Sequence, residues 1–231
     1  MEIHKLILMR HGESKWNQLN RFTGWKDIDL SERGVIEAIT CAKLLKSHGF
    51  NFNYAYTSIL KRSIHTLWNI IKYLNCSWIP VKKSWHLNER HYGALQGLNK
   101  DDVIKKHGDA QVQQWRRGFN ISPPETDVSE RKMLSLDPKY SSMHFNDIPL
   151  SESLKATSKR VIPFWKKAIL PNLKKKKKII ITAHGNSLRA LIKYLDNMSD
   201  EDIMNLNIIT GAPIVYEFNC RFEPVRYYCL K

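Results

Sequence analysis

Two short stretches hold the residues best suited to chemistry. Arg10-His11-Gly12-Glu13-Ser14 follows the apolar run Leu6-Ile7-Leu8-Met9, and His184-Gly185-Asn186-Ser187 follows Ile179-Ile180-Ile181-Thr182-Ala183. A neutral imidazole is a nucleophile near pH 7 because its pKa lies close by. Arginine beside it offers a planar fork of donors matched to phosphate oxygens. A lone histidine at a strand end is commonly only a hydrogen-bonding residue. Two in matching contexts, one flanked by arginine, point to phosphoryl transfer through a phosphohistidine.

Such residues need elements that bring them together. Each apolar run reads as a buried central strand, and open parallel α/β sheets bind ligands just beyond the carboxyl ends of their strands. If the two strands are neighbours, both imidazoles face one crevice. The segment after His184, with Leu188, Leu191, Ile192 and Leu195, reads as a helix whose first amides are free for an anion. Ser31 is a plausible N-cap for a helix with apolar residues at 35, 38, 39, 42 and 45. Tyr54 to Thr57 and Ile79 to Trp85 are further strands. Leu60, Ile64, Leu67, Trp68 and Ile71 keep helical spacing and place Arg62 off the apolar stripe. There, in a first turn, its charge opposes the helix dipole; it is either simply solvated or meets an anion.

The stretch Leu87 to Gly97 is dense in acid–base groups, and one helical segment after Lys100 ends in Trp115-Arg116-Arg117. Residues 120–150, with Pro123, Pro124 and Pro138, lack periodicity and read as a long loop, either an active-site cover or disordered. Ser151 or Ser153 starts the next helix, which Pro163 kinks. Ile214, Tyr216 and Phe218, then Val225, Tyr227 and Cys229, alternate like the arms of a hairpin. Strands alternating with helices give a parallel α/β sheet with an antiparallel edge.

With 231 residues, 42% hydrophobic and 26% charged, the chain fits one globular core with room for an insertion. No apolar run approaches the roughly 18 residues of a transmembrane helix. Cys41, Cys76, Cys220 and Cys229 form neither a CxxC pair nor a disulfide scaffold, and the cytoplasm is the expected compartment. The net charge of +15 raises a polyanion as partner. The lysines are scattered, however, and the dense run Lys174 to Lys178 reads as a solvated loop. Attraction of small anionic substrates is the preferred reading, with no nucleic acid and no membrane.

Across nearly its whole length the sequence resembles the bisphosphoglycerate-dependent phosphoglycerate mutases of the histidine phosphatase superfamily. The matching stretches are Leu8 to Ser14, Arg21 to Trp25, Ala55 to Ser58, Leu87 to Asn99, Gln114 to Gly118 and Ala183 to Ser187. The resemblance implies a three-layer αβα sandwich with a mostly parallel sheet, phosphoglycerate mutase-like. It also implies a single domain over 1–231 with an active-site-covering insertion around 90–150. His11 would be the phosphorylated residue, Arg10, Arg62 and His184 would hold the phosphoryl group, and Glu89 would move the proton. Ser14, Asn17, Thr23, Gly24, Tyr92 and Lys100 would position the ligand, together with Arg116, Arg117, Gly185 and Asn186. Members of that family interconvert 2- and 3-phosphoglycerate in glycolysis and gluconeogenesis, primed by 2,3-bisphosphoglycerate, without a metal and commonly as homodimers or homotetramers.

One departure carries an expectation. Bacterial-type members usually continue past the last hairpin with a mobile polar tail, whereas this sequence stops at Lys231. Its phosphoenzyme is expected to lose phosphate to water faster than that of a tailed relative. The rival readings are a broad histidine phosphatase, with water as acceptor, and a non-enzymatic polyanion binder.

Overall fold

Alternation along the strands decides which layer each side chain enters. In β1 (His4–Arg10), Leu6 and Leu8 turn to one hydrophobic cluster while Ile7 and Met9 turn to another. Such double-sided burial is what a continuous apolar run requires. The computed structural model describes residues 3–230, so Lys231, where the sequence stops, lies outside the described residues.

In chain order β1 is followed by α1 (Lys15–Gln18), α2 (Glu32–Ser47), β2 (Tyr54–Thr57), α3 (Lys61–Tyr73) and β3 (Val81–Lys83). Next come α4 (Lys100–His107), α5 (Asp109–Arg117), α6 (Val128–Leu136), α7 (Leu154–Phe164) and α8 (Leu170–Lys174). The chain closes with β4 (Ile179–Ala183), α9 (Gly185–Leu195), α10 (Asp202–Asn205), β5 (Pro213–Phe218) and β6 (Pro224–Cys229). The six strands form one sheet in the order β3-β2-β4-β1-β5-β6. The first four run parallel, β5 is antiparallel to β1, and β6 is antiparallel to β5. The α2–α3 side covers one face and the α7–α9 side the other. This is the three-layer αβα arrangement expected.

β1 and β4 pair directly, Leu6 opposite Ile179 and Arg10 opposite Ala183, so the two His-Gly turns leave the sheet side by side. The turn after β1 is interlocked with α2. A Cβ on Gly12 would lie 2.2 Å from the Gly34 carbonyl oxygen, and one on Gly34 would lie 2.0 Å from that of Glu13. Both clashes are with backbone, which cannot swing away. Gly12→Ala is expected to destabilise the protein by about 1–3 kcal/mol, read as a lower urea midpoint.

Several expectations change in detail. The buried face of α3 carries Arg62, Ser63, Thr66, Leu67, Ile70 and Ile71, while Trp68 is exposed. Ser63 and Thr66 can be buried because they donate to the Thr182 and Arg62 carbonyls. The segment after Lys100 is two helices, broken where Gly108 takes φ +79°. Ile79 to Trp85 holds only the three strand residues of β3. The 120–150 stretch is not a structureless loop: it carries α6 and two short 3₁₀ turns, Pro138–Tyr140 and Phe145–Asp147. Pro163 lies inside α7, just before a π-helical turn, Trp165–Ile169. The wider turn lies close to where proline has no N–H to give.

Candidate active site

The parallel pairing of β1 with β4 sets the His11 and His184 rings edge to face, 4.9 Å between centroids. His11 Nδ1 donates to the Gly12 carbonyl oxygen at 2.6 Å. That leaves Nε2 as the ring's lone pair, and it accepts from Arg62 Nε at 3.3 Å. Both remaining nitrogens of Arg62 are held by backbone, Nη1 by the Lys26 carbonyl and Nη2 by that of Gly24. The guanidinium is therefore fixed against the Nε2 lone pair, and Arg62 is buried rather than solvated.

Burial and the adjoining Arg62 and Arg10 hold the His11 pKa well below its ordinary value, and burial and Arg62 do the same for His184. His11 thus remains neutral, and nucleophilic, as pH falls through 6.5. In the unfolded chain these rings and His91 (held down to about 4, chiefly by burial) titrate normally. The unfolded state then binds more protons, so stability is expected to fall as pH drops below about 6.5. NMR titration should show no His11 inflection near 6.5, and urea midpoints should fall between pH 6.5 and 4.

His11 opens onto a small cleft of about 100 Å³. Arg10, Asn17, Thr23, Gly24 and Arg62 line it from the β1, Arg21–Trp25 and α3 side. Glu89, Tyr92, Lys100, Arg116, Arg117, Gly185 and Asn186 line the rest. Glu89 Oε1 accepts from the Arg90 and Asn186 amides. The first turn of α9, read from sequence as free for an anion, thus spends the Asn186 amide on this carboxylate. Asn186 in turn donates to the Tyr92 hydroxyl. Gly24 adopts φ +54° with Gln96 packed where a Cβ would sit.

Two candidates lie outside the cleft wall. Ser14 is wholly buried and caps α1: its Oγ accepts from the Asn17 amide and donates to Asn17 Oδ1, so it shapes the cleft through Asn17. His184 is buried behind the opening, against His11, with Nε2 on Ser58 Oγ.

Sequence reading missed a set of arginines. Arg21 and Arg189 line the cleft, giving it seven cationic side chains (Arg10, Arg21, Arg62, Lys100, Arg116, Arg117, Arg189) against one carboxylate, Glu89. Arg90 and Arg189 both donate to Asn186 Oδ1 and clasp the C-terminal carbonyls of α5, which carries Arg116 and Arg117. Arg160, paired with Glu152, donates to the carbonyls of Trp85, His86, Asn88 and Glu89 and so fixes the Glu89 segment. The spacing of Arg189 four residues after Gly185 on α9 was the available signal, since i and i+4 share a face.

The cations crowd one another. Burial and neighbouring positive charge lower Lys100 to about 8, and burial followed by Arg90 lowers Arg189 to about 9. Burial lowers Arg62 to about 10, although Glu89 and Asp27 oppose the shift. Arg10 Nε and Thr23 Oγ1 are buried without a partner in the protein. A strongly anionic ligand relieves both the repulsion and the unmet donors. Among the described residues no cluster of metal-binding side chains occurs.

Comparison with known proteins agrees with this geometry. Residues 6–221 match the histidine phosphatase superfamily (branch 1). The chain is 65% identical, over 231 residues and the whole of both sequences, to a 2,3-bisphosphoglycerate-dependent phosphoglycerate mutase of Buchnera aphidicola subsp. Baizongia pistaciae. Among solved structures, a mycobacterial glucosyl-3-phosphoglycerate phosphatase aligns with a TM-score of 0.73 at 19% identity, covering 98% of this chain and 97% of that one. A phosphoglycerate mutase from Bacillus anthracis aligns with a TM-score of 0.68 at 21% identity, covering 99% and 92%. With two histidines side by side beyond β1 and β4 and this match along the chain, the protein belongs to the histidine phosphatase superfamily.

Proposed function

We propose that this chain interconverts 3-phosphoglycerate and 2-phosphoglycerate through a phosphohistidine at His11, primed by 2,3-bisphosphoglycerate. The observation that carries the reading is the cleft's charge: seven cations and one carboxylate around a single nucleophilic imidazole. A simple phosphomonoester does not need so many. A three-carbon acid bearing two phosphates and a carboxylate does. The full-length 65% identity to a protein of that name supports the same substrate class.

In the priming step the His11 Nε2 lone pair attacks a phosphorus of the bisphosphoglycerate, and the bond from phosphorus to the glycerate oxygen breaks. Glu89, as the acid, gives its proton to the departing oxygen. In the transfer step Glu89 as carboxylate takes the proton from a glycerate hydroxyl, whose oxygen attacks the phosphohistidine and frees His11. The bisphosphoglycerate so formed turns round before His11 attacks its other phosphate, with the proton just taken by Glu89 returned to the oxygen that departs, and this exchanges the 2- and 3-positions. Arg62, Arg10 and His184 surround the group in flight, whose charge spreads over three oxygens and needs positioning and neutralisation above all. Lys100, Arg116 and Arg117 hold the distal anionic groups, and Asn17, Thr23, Gly24, Tyr92, Gly185 and Asn186 set the ligand's pose.

The decisive assay follows 3-phosphoglycerate with and without 2,3-bisphosphoglycerate. The reading requires 2-phosphoglycerate to accumulate, dependent on the primer and without stoichiometric free phosphate. Release of phosphate as the main product would make the chain a broad histidine phosphatase instead. Because arginine and lysine supply the positive charge, EDTA is expected to leave the rate unchanged; inhibition would point to a metal-dependent route.

A homodimer or homotetramer is the assembly we assign it. Support comes from β3, which lies at an end of the sheet order with Lys83 over the exposed Trp68 ring, and from the exposed Trp78 shortly before it in the chain. Sedimentation equilibrium reads this directly. A cytoplasmic location fits a glycolytic role, and no described helix is long and apolar enough to cross a membrane.

A further inference from the structure

Ser58 immediately follows β2 and, like His184, is fully buried. Its Oγ lies 2.7 Å from His184 Nε2 and also accepts the Leu60 amide at 3.2 Å. The shared proton between serine and histidine has two possible owners. If Nε2 carried it, Ser58 would accept twice while its own hydroxyl proton faced no acceptor, and His184 Nδ1 would be a bare lone pair with no donor. If Ser58 carries it, the serine is satisfied as donor and acceptor, and only Nδ1–H is left over. A buried polar group left unpaired is costly, so the second arrangement, with fewer of them, prevails.

We propose that Ser58 is a positioning residue that fixes His184 as the Nδ1–H tautomer, making it a hydrogen-bond donor to the transferring phosphoryl group. Nδ1 is the ring atom that has no partner in the protein, and the ring lies 4.9 Å from that of His11, within reach of a phosphoryl carried there. The His184 amide is tied to Ser187 Oγ, which holds the ring's backbone in place. Burial and Arg62 keep His184 neutral, so its single proton must choose one nitrogen. The choice has two consequences. It aims a donor at the phosphoryl oxygens, and it occupies Nε2, so that His184 does not compete with His11 as nucleophile.

The inference rests on His11 carrying the phosphoryl group, yet its test on the resting enzyme does not. In ¹⁵N-histidine-labelled protein, with the His184 signals assigned by difference from His184→Asn, a protonated-type shift is expected at Nδ1 and an unprotonated-type shift at Nε2. Ser58→Ala is expected to mix the tautomers and lower kcat by about 10- to 10²-fold with KM little changed, the scale of losing one aligned donor. Ser58→Thr, which keeps the hydroxyl, is expected to restore both. An Nε2–H tautomer in the wild-type protein overturns the proposal, as does a Ser58→Ala protein with unchanged tautomer and kcat. Failure of the mutase reading would show separately, as primer-independent or purely hydrolytic turnover.

Discussion

His11→Ala is expected to abolish phosphoryl transfer, lowering turnover by on the order of 10⁴-fold or more. The expectation rests on the lack of a substitute. His11 Nε2 is the ring nitrogen facing both the cleft and Arg62, while Nδ1 is committed to the Gly12 carbonyl. The nearest other imidazole, His184, has its Nε2 on Ser58 and sits behind the opening. His91, also buried, has Nδ1 accepting the Gly93 amide. Glu89 has Oε1 already held by the Arg90 and Asn186 amides. The alanine protein should still bind 2,3-bisphosphoglycerate, since Lys100, Arg116 and Arg117 are untouched. It should yield no acid-labile, base-stable phosphate label. Label remaining on the alanine protein, or substantial residual turnover, would place the nucleophile elsewhere.

What made the two histidines legible is that their positions are local consequences of sequence. A continuous apolar run must be buried on both faces, a Gly-containing turn must follow it, and parallel neighbours deliver their ends to one place. The supporting shell is different. Arg90, Arg160 and Arg189 read as surface charge in any one-dimensional pattern, because arginine is rarely buried without a partner. Here each is buried against backbone carbonyls contributed by other elements, and those carbonyls carry no sequence signature. Thr66 is silent in the sequence for a related reason. It counts as polar on the helix, yet it receives the Gly12 amide and gives its proton to the Arg62 carbonyl, so it faces the core. The break between α4 and α5 depends on one glycine at φ +79°, a conformation that glycine permits and does not demand. Ser14 was legible as part of a motif, but its task, holding Asn17 through a capping box, emerges only once α1 has formed.

Arg62→Ala is expected to slow phosphoryl transfer by about 10²–10³-fold, the usual cost of one preorganised donor at developing charge. Preorganisation is the point at issue. Arg62 sits in the first turn of α3, where a cation is disfavoured by the helix dipole, and it is 1% exposed with no carboxylate bonded to it. The protein holds it there with two carbonyls, Gly24 and Lys26, which leaves Nε–H aimed at His11 Nε2. A phosphoryl group arriving on that nitrogen meets the guanidinium without any side chain having to move. Alanine removes this charge and also takes a donor from each of the Gly24 and Lys26 carbonyls, so the loss should appear as lower kcat together with a reduced urea midpoint. Arg62→Lys separates the two effects. Lysine restores charge but lacks the fork that satisfies both carbonyls while presenting a third donor. It should therefore recover part of the stability and only a minor share of the rate. Full recovery by lysine would mean that net charge alone suffices, and an unchanged rate in Arg62→Ala would place the residue outside the reacting site.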